Sequence, residues 1–172
     1  ALILALIMLL SLCACGSQSA ALAAAEAPAA EAPAESELPA AEPEEITITD
    51  MIGRKVTVTP GSYKRVVCIG AGALRMYSYI GDVSLLCGVE DIDNTTLDER
   101  PKMFDSVARP YVLAFGGTFS ALPSCGVGGP NAQAAEAEKI LSCNPDIIIS
   151  EYEDVDKENA LQEQLGVPVV TL

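Results

Sequence analysis

The sequence predicts an α/β fold: a parallel sheet flanked by helices, with an N-terminal β-hairpin in front of it. Three observations carry this. Short, continuously apolar runs recur in KRVVCIG, VSLLCGVED, NPDIIISEY and VPVVTL, the pattern of strands buried on both faces. Amphipathic stretches stand between them, as parallel neighbours require a crossover connection. Ahead of them, ITITDMIGRKVTVT alternates apolar or β-branched with polar residues around a turn containing Gly53.

The chain begins differently. Residues 1–14 carry no charge and one hydroxyl side chain, a length that suits a signal-peptide core and falls short of the ~20 residues of a membrane-spanning helix. No initiator Met and no basic segment precede it, so the sequence is expected to lack its own start. The core ends in Leu12-Cys13-Ala14-Cys15-Gly16, which resembles a bacterial lipobox. Cys15 is the better lipidation candidate, because the small Ala14 precedes it whereas bulky Leu12 precedes Cys13. An ordinary secretory signal with incidental cysteines is the competing reading. Residues 15–45 follow as the lipidated Cys and an Ala/Glu/Pro tether. From Gly16 on it holds seven Glu and no Lys or Arg, with nothing to build a core. It reads as disordered, and its prolines argue against a long Ala-Glu helix.

The folded part is expected over 46–172. The hairpin covers 46–59, and Pro60-Gly61 breaks the chain. A buried strand occupies 64–70. ALRMYSYIG reads as a helix with Leu74, Tyr77 and Ile80 on one face and Gly81 as its stop. A second buried strand, 83–91, ends in acids. Residues 92–122 show no clear period. PSCGVGGPN reads as a short extended piece, and NAQAAEAEKILSC as a helix capped by Asn131. Residues 144–152 form a strand. DVDKENALQEQLG forms a helix with Val155, Leu161 and Leu165 inward and Gly166 as its stop. VPVVTL begins one more strand, and an α/β chain that stops there is expected to be truncated.

Composition narrows the function. The formal net charge is −14 over 172 residues; the 17 acids of residues 46–172 against all ten bases leave −7 for the folded part. No basic stripe exists for nucleic acid. There is no His, which removes the commonest general base and metal ligand. Cys68, Cys87, Cys125 and Cys143 are widely spaced without a C-x-x-C pair, so neither zinc nor a thioredoxin-like centre is suggested. Cys68 and Cys87 lie in apolar runs and read as buried hydrophobes rather than disulfide partners. No Ser-base pair or defined carboxylate pair emerges, so no catalytic residue, cofactor or metal site is expected.

RVVCIGAGALR, residues 65–75, looks like the start of a dinucleotide fingerprint, and Glu90-Asp91 follows at about the distance of its ribose-binding acid. The third glycine of that motif is here Arg75, and a lipobox places the domain outside the cytoplasm. The glycines have a simpler use: they keep the end of a strand open to a ligand.

In order, ITITDMIGRKVTV, YKRVVCIGAGALRMYSYIG, LLCGVED, RPY, LPSCGVGGPN, EKILSCNPDIIIS and LGVPVVTL resemble the substrate-binding lipoproteins of ABC importers for iron-siderophore, haem and cobalamin complexes. The resemblance runs over 46–172. It implies the first of two α/β lobes joined by a long helix, with a ligand held between the lobes. It also implies an importer permease and its ATPase as partners. The place implied is the outer face of the bacterial cytoplasmic membrane, periplasmic where the host has an outer membrane. A lipid-anchored extracellular α/β enzyme or adhesion module is the alternative; a binder of free metal ions is disfavoured by the lack of His.

The ligand crevice of such a sheet lies beyond the carboxyl ends of its strands. That selects Gly70, Ala71, Gly72, Ala73 and Arg75, then Asp91, then Gly129, Pro130 and Asn131 with Gly128 before them, and Glu151-Tyr152. Arg75 either pairs with an anionic ligand group or forms a salt bridge to Glu90 or Asp91. Arg109 and Tyr111 either fold over the crevice or anchor their loop on the lobe. Tyr77 and Tyr79 read as core or helix surface. The resemblance implies that Glu138, just before KIL, faces the permease and meets an Arg there; Glu136 is a near alternative, and a solvated helix charge is the plain one.

Overall fold

A computed structural model describes residues 44–101, 109–129, 132 and 134–172. The lipobox, most of the tether, and Pro130 and Asn131 lie outside the described residues. Hairpin strands β1 (Ile46–Thr49) and β2 (Lys55–Val58) pair antiparallel, Ile46 opposite Val58 and Thr49 opposite Lys55. Then come β3 (Val66–Ile69), α1 (Ala73–Ile80), a 3-10 turn at Val83–Leu85 and β4 (Leu86–Glu90). A second 3-10 turn, Asp91–Asp93, precedes α2 (Pro110–Ser120), β5 (Ser124–Gly126) and α3 (Ala137–Ser142). Last are β6 (Ile147–Ser150), α4 (Val155–Leu165) and β7 (Val169–Thr171). The five strands after the hairpin form one all-parallel sheet in the order β5-β4-β3-β6-β7.

Strand side chains alternate between the two faces. Val66 and Cys68 join Leu74, Leu86, Val89, Tyr111, Val112 and Phe119 beneath α1 and α2. Val67 and Ile69 join Cys87, Cys125, Ile140, Cys143, Ile148, Leu161 and Val169 beneath α3 and α4. Cys68, Cys87, Cys125 and Cys143, the four cysteines among the described residues, are buried free thiols packed as small apolar groups. The β3–β6 register is tied from outside the strands: the backbone N–H groups of Lys64 and Arg65 donate to the Asp146 carboxylate at 2.7 and 2.9 Å. Asn144, at φ 50°, takes the left-handed turn that sets Asp146 in place.

The hairpin is held to the sheet by its turn. Arg54 donates through its backbone N–H and Nε to Asp50 at 2.8 and 2.9 Å, and through Nη2 to the Val169 carbonyl at 2.6 Å. Its Nη1 reaches Asn159 of α4 at 3.3 Å, and Met51 N–H donates to the Thr171 carbonyl. Asp50 and Arg54 are both buried.

Four expectations are corrected. Ile80 is 90 % exposed, not inward. Spacings of exactly three drift off the 3.6-residue period, and α1 buries Ala73, Leu74 and Ser78 with Tyr77 half-buried. Val155 is exposed for the same reason, and Glu158 takes the inward place beside Leu161. Within 92–122 stands a helix, α2, whose Gly116-Gly117 and nearly unbroken apolar character hid any period. Pro110 starts it, having no N–H to lose there, and the Phe119 ring packs at a tilt against both Tyr111 and Phe115, with centroids 6.2 Å apart in each pair. Finally, α3 begins at Ala137 with Glu136 as its N-cap, not after Asn131. The α4 ends agree with expectation: Asp154 accepts the Lys157 N–H at 3.2 Å, and Gly166 closes the helix at φ 68°. Among the described residues no helix is long and apolar enough to cross a membrane.

Candidate functional site

The order β5-β4-β3-β6-β7 makes the chain leave β3 toward β4 and return to β6 on its other side. Connections after β3 and β6 therefore diverge to opposite faces, and the space beyond their carboxyl ends is the place where open α/β sheets bind ligands. Gly70 to Ala73 leave β3 here, and Glu151-Tyr152 leave β6. Glu151 N–H donates to the Ile69 carbonyl at 3.0 Å, so the two strand ends stay paired up to the mouth. Gly70 sits at φ 94°, and a Cβ on it would meet the Glu151 Cβ at 3.0 Å and its backbone N at 3.1 Å.

On the other side of Gly70 stands Glu90, the last residue of β4 and only 4 % exposed. Its Oε1 accepts the Gly70 N–H at 3.1 Å, and a Cβ on Gly128 (φ 69°) would lie 2.5 Å from its Oε2. Glu90 is thus wedged between the loops after β3 and β5. The Gly70 amide, expected to be open to a ligand, is engaged by this carboxylate. Burial pushes the Glu90 carboxyl up to about 7; the Gly70 N–H opposes the shift, while the carboxylates of Glu136, Asp91 and Glu151 add to it. The Tyr152 hydroxyl is pushed up to about 12, by burial first and then by Glu90 and Glu158.

Arg75 stands exposed in the first turn of α1 and makes no ion pair with Glu90 or Asp91 among the described residues. Its guanidinium has no hydrogen bond or ion pair among the described residues. Arg109 and Tyr111 take the loop-anchor role instead. Both are buried: Arg109 donates to the Ile92 carbonyl at 2.8 Å and to the Tyr111 hydroxyl at 3.0 Å, and it pairs with Asp93. The Tyr111 hydroxyl donates to Asp93 at 2.7 Å. These contacts fasten the start of α2 to the turn after β4, leaving neither side chain reaching over the crevice. Gly129 is buried against Ile92.

Across the mouth, Glu136 accepts the Val127 N–H at 2.6 Å and pairs with Lys139 at 2.9 Å. Those bonds hold its carboxyl below the ordinary value. Glu138, two residues on, is exposed and outside that pairing, while Ile140 is fully buried and Leu141 is exposed. Among the described residues no group of three His, Cys, Asp or Glu side chains converges as a metal site.

Sequence reading missed Glu90 as the keystone of the mouth, and it missed Arg54 and Glu158 altogether. For Glu90 a signal exists: a carboxylate closing a continuously apolar strand is buried by its neighbours unless the strand stops short.

No family model and no curated protein matches this chain. Solved structures do. MolA, the molybdate periplasmic binding protein of a Haemophilus influenzae ABC transporter, superposes with a TM-score of 0.52 at 18 % identity, over 74 % of this chain and 34 % of its own. The chain has the fold of one lobe of a periplasmic binding protein. The haem-binding protein HmuT aligns at 17 % identity and TM-score 0.47, over 77 % of this chain and 36 % of its own. VctP, the periplasmic catecholate-siderophore binding protein of Vibrio cholerae, aligns at 23 % and 0.48, over 74 % and 37 %. The chain spans about a third of the length of these binding proteins.

Proposed function

We propose that this chain is part of the extracytoplasmic solute-binding component of an ABC importer, anchored to the membrane through lipidated Cys15. In this reading it captures an iron chelate, haem or a cobalamin-like ligand at the crevice and delivers it to the permease. The observation that carries the reading is the mouth itself: the connections after β3 and β6 diverge at the switch point of the sheet, and the exposed guanidinium of Arg75, without a bond among the described residues, stands beside it. A planar guanidinium pairs well with carboxylate, catecholate or phosphate groups. Glu138 is the proposed docking charge, since it projects from α3 while Ile140 holds that helix to the sheet.

The experiment uses the full-length protein and separates capture from delivery. Arg75→Ala is expected to weaken an anionic chelate by about 1.5–3 kcal/mol, the worth of a hydrogen bond to a charged group. Glu138→Ala is expected to leave chelate affinity and folding nearly unchanged, within about 0.5 kcal/mol for a surface site, while lowering uptake and stimulation of the importer ATPase. Normal uptake with Glu138→Ala makes that residue an ordinary solvated charge. Binding of a sugar or peptide and of no chelate overturns the substrate class.

A further inference from the structure

A cleft of about 270 Å³ lies between the segment leading into α3 and the inner side of α4. Ala135, Tyr152, Glu153, Lys157, Glu158 and Gln164 are among its walls. Glu158 is the unusual member. It is 2 % exposed, and its Oε2 has no hydrogen-bond partner among the described residues. The Ser150 hydroxyl lies close enough to the carboxyl group to lower its pKa. Nearby cations are already used: Arg54 directs its donors to Asp50, Asn159 and the Val169 carbonyl, and Lys157 pairs with Asp154 at 3.6 Å. A buried acceptor left without a donor costs about 1–3 kcal/mol, and more when charged, so such groups persist where something supplies the donor.

We propose that this cleft binds a small organic ammonium group, with the Glu158 carboxylate as its acceptor. Three further features fit that chemistry. The rim carries Glu153 and Asp154 against a single Lys157, so its charge favours a cation. Tyr152 lines the cleft, and aromatic rings attract ammonium groups. Ala135 and Leu161 supply apolar wall for an alkyl stem. The volume is near the lower end of ligand pockets, which suits a ligand of few heavy atoms. The site adjoins the strand-end mouth through Tyr152, and it stands on its own whether or not the importer reading holds.

Binding has a proton signature. Burial raises the Glu158 carboxyl above its ordinary value, opposed by the Ser150 hydroxyl and Arg54, while Asp50 and Asp154 add to the rise. Tyr152, Glu153 and Lys157 are the other titratable groups around it. An arriving ammonium favours the ionised carboxylate, so binding releases protons at any pH where part of the Glu158 population is protonated, a range that burial extends upward from the ordinary carboxylate value.

The test is titration calorimetry of the full-length protein with 1,4-diaminobutane, with 1,4-butanediol as the uncharged isostere, in two buffers of different ionisation enthalpy. The diamine is expected to bind with proton release and the diol not to bind. Glu158→Gln is expected to weaken the diamine at least about tenfold and to remove the proton release. Glu153→Gln at the exposed rim is expected to weaken it by a smaller factor. The proton release of the unaltered protein is a readout independent of whether the Glu158 variant folds. No diamine binding at millimolar concentration, equal binding of the diol, or unchanged affinity in a folded Glu158→Gln variant overturns the proposal.

Discussion

Arg54→Met is expected to destabilise the folded part by about 3–5 kcal/mol, read as a shifted midpoint in urea unfolding at neutral pH. Arg54 is 6 % and Asp50 8 % exposed, so the carboxylate would be left in place without its guanidinium. Met retains the backbone N–H that Asp50 accepts at 2.8 Å, but it loses the Nε bond and the 2.6 Å bond to the Val169 carbonyl. That last bond ties the hairpin turn to β7. In the parent, burial tends to raise the Asp50 carboxyl, yet the backbone and guanidinium bonds from Arg54 outweigh it and hold it below the ordinary value. Its stabilisation is therefore present above the ordinary carboxylate range and fades as pH falls through the lowered value. In the variant the guanidinium bonds no longer oppose burial, so the Asp50 carboxyl rises from its lowered value and the stabilisation that acid removes becomes smaller. Adding Asp50→Asn should then restore part of the loss by removing the stranded charge. A loss below about 1 kcal/mol, the scale of an exposed ion pair, would show that the hairpin is not held this way.

Glu90→Gln is expected to remove a pH dependence of about 3 kcal/mol between mildly acidic and mildly alkaline solution. The folded carboxyl titrates near 7 against an ordinary value of 4.5. The folded state thus holds this proton more tightly than the unfolded chain. Its contribution is fully present below about pH 4.5, declines as pH rises through about 7, and is gone above that. Gln keeps an oxygen for the Gly70 N–H and cannot ionise, so the variant should be more stable than the parent at pH 8. Glu158, also raised by burial, leaves a residual slope of the same sign. Unfolding curves of parent and variant at pH 5, 6, 7 and 8 decide it; parallel profiles would place the Glu90 titration well below neutrality. Because Glu90 bonds the Gly70 loop and abuts Gly128, its ionisation also adds negative charge to a mouth that already carries Asp91, Glu136 and Glu151. An anionic chelate is therefore expected to bind more tightly at pH 6 than at pH 8.

Local chemistry was enough for much of the fold. Runs such as VVCI and LCGVE have few alternatives to a buried strand, because only a strand covered on both faces buries every residue of so short a segment. Asp154 and Gly166 mark the ends of α4 because a carboxylate caps free amides and glycine accepts a positive φ, and neither property depends on the rest of the chain. The strand ends, and with them Gly70, Arg75 and Glu151 as candidates, followed directly. Tertiary structure decided the rest. Helix α2 exists because Tyr111, Phe115 and Phe119 pack together and Arg109 locks its start to Asp93, contacts that outweigh two glycines. Those same contacts make Arg109 and Tyr111 anchors, although their spacing alone fitted a ligand-facing loop equally well. Ile80 and Val155 turned outward since burial depends on where a helix meets the sheet. Glu90, Glu158 and Arg54 were invisible for one reason: a charge is costly to bury, so sequence reading puts it outside unless its partner is known. Here the partners of Arg54 are Asp50, Asn159 and the Val169 carbonyl, and those of Glu90 lie on loops after two other strands. Only the strand order β5-β4-β3-β6-β7 brings such distant residues together, and pairing between strands is a property of the folded chain rather than of any one segment.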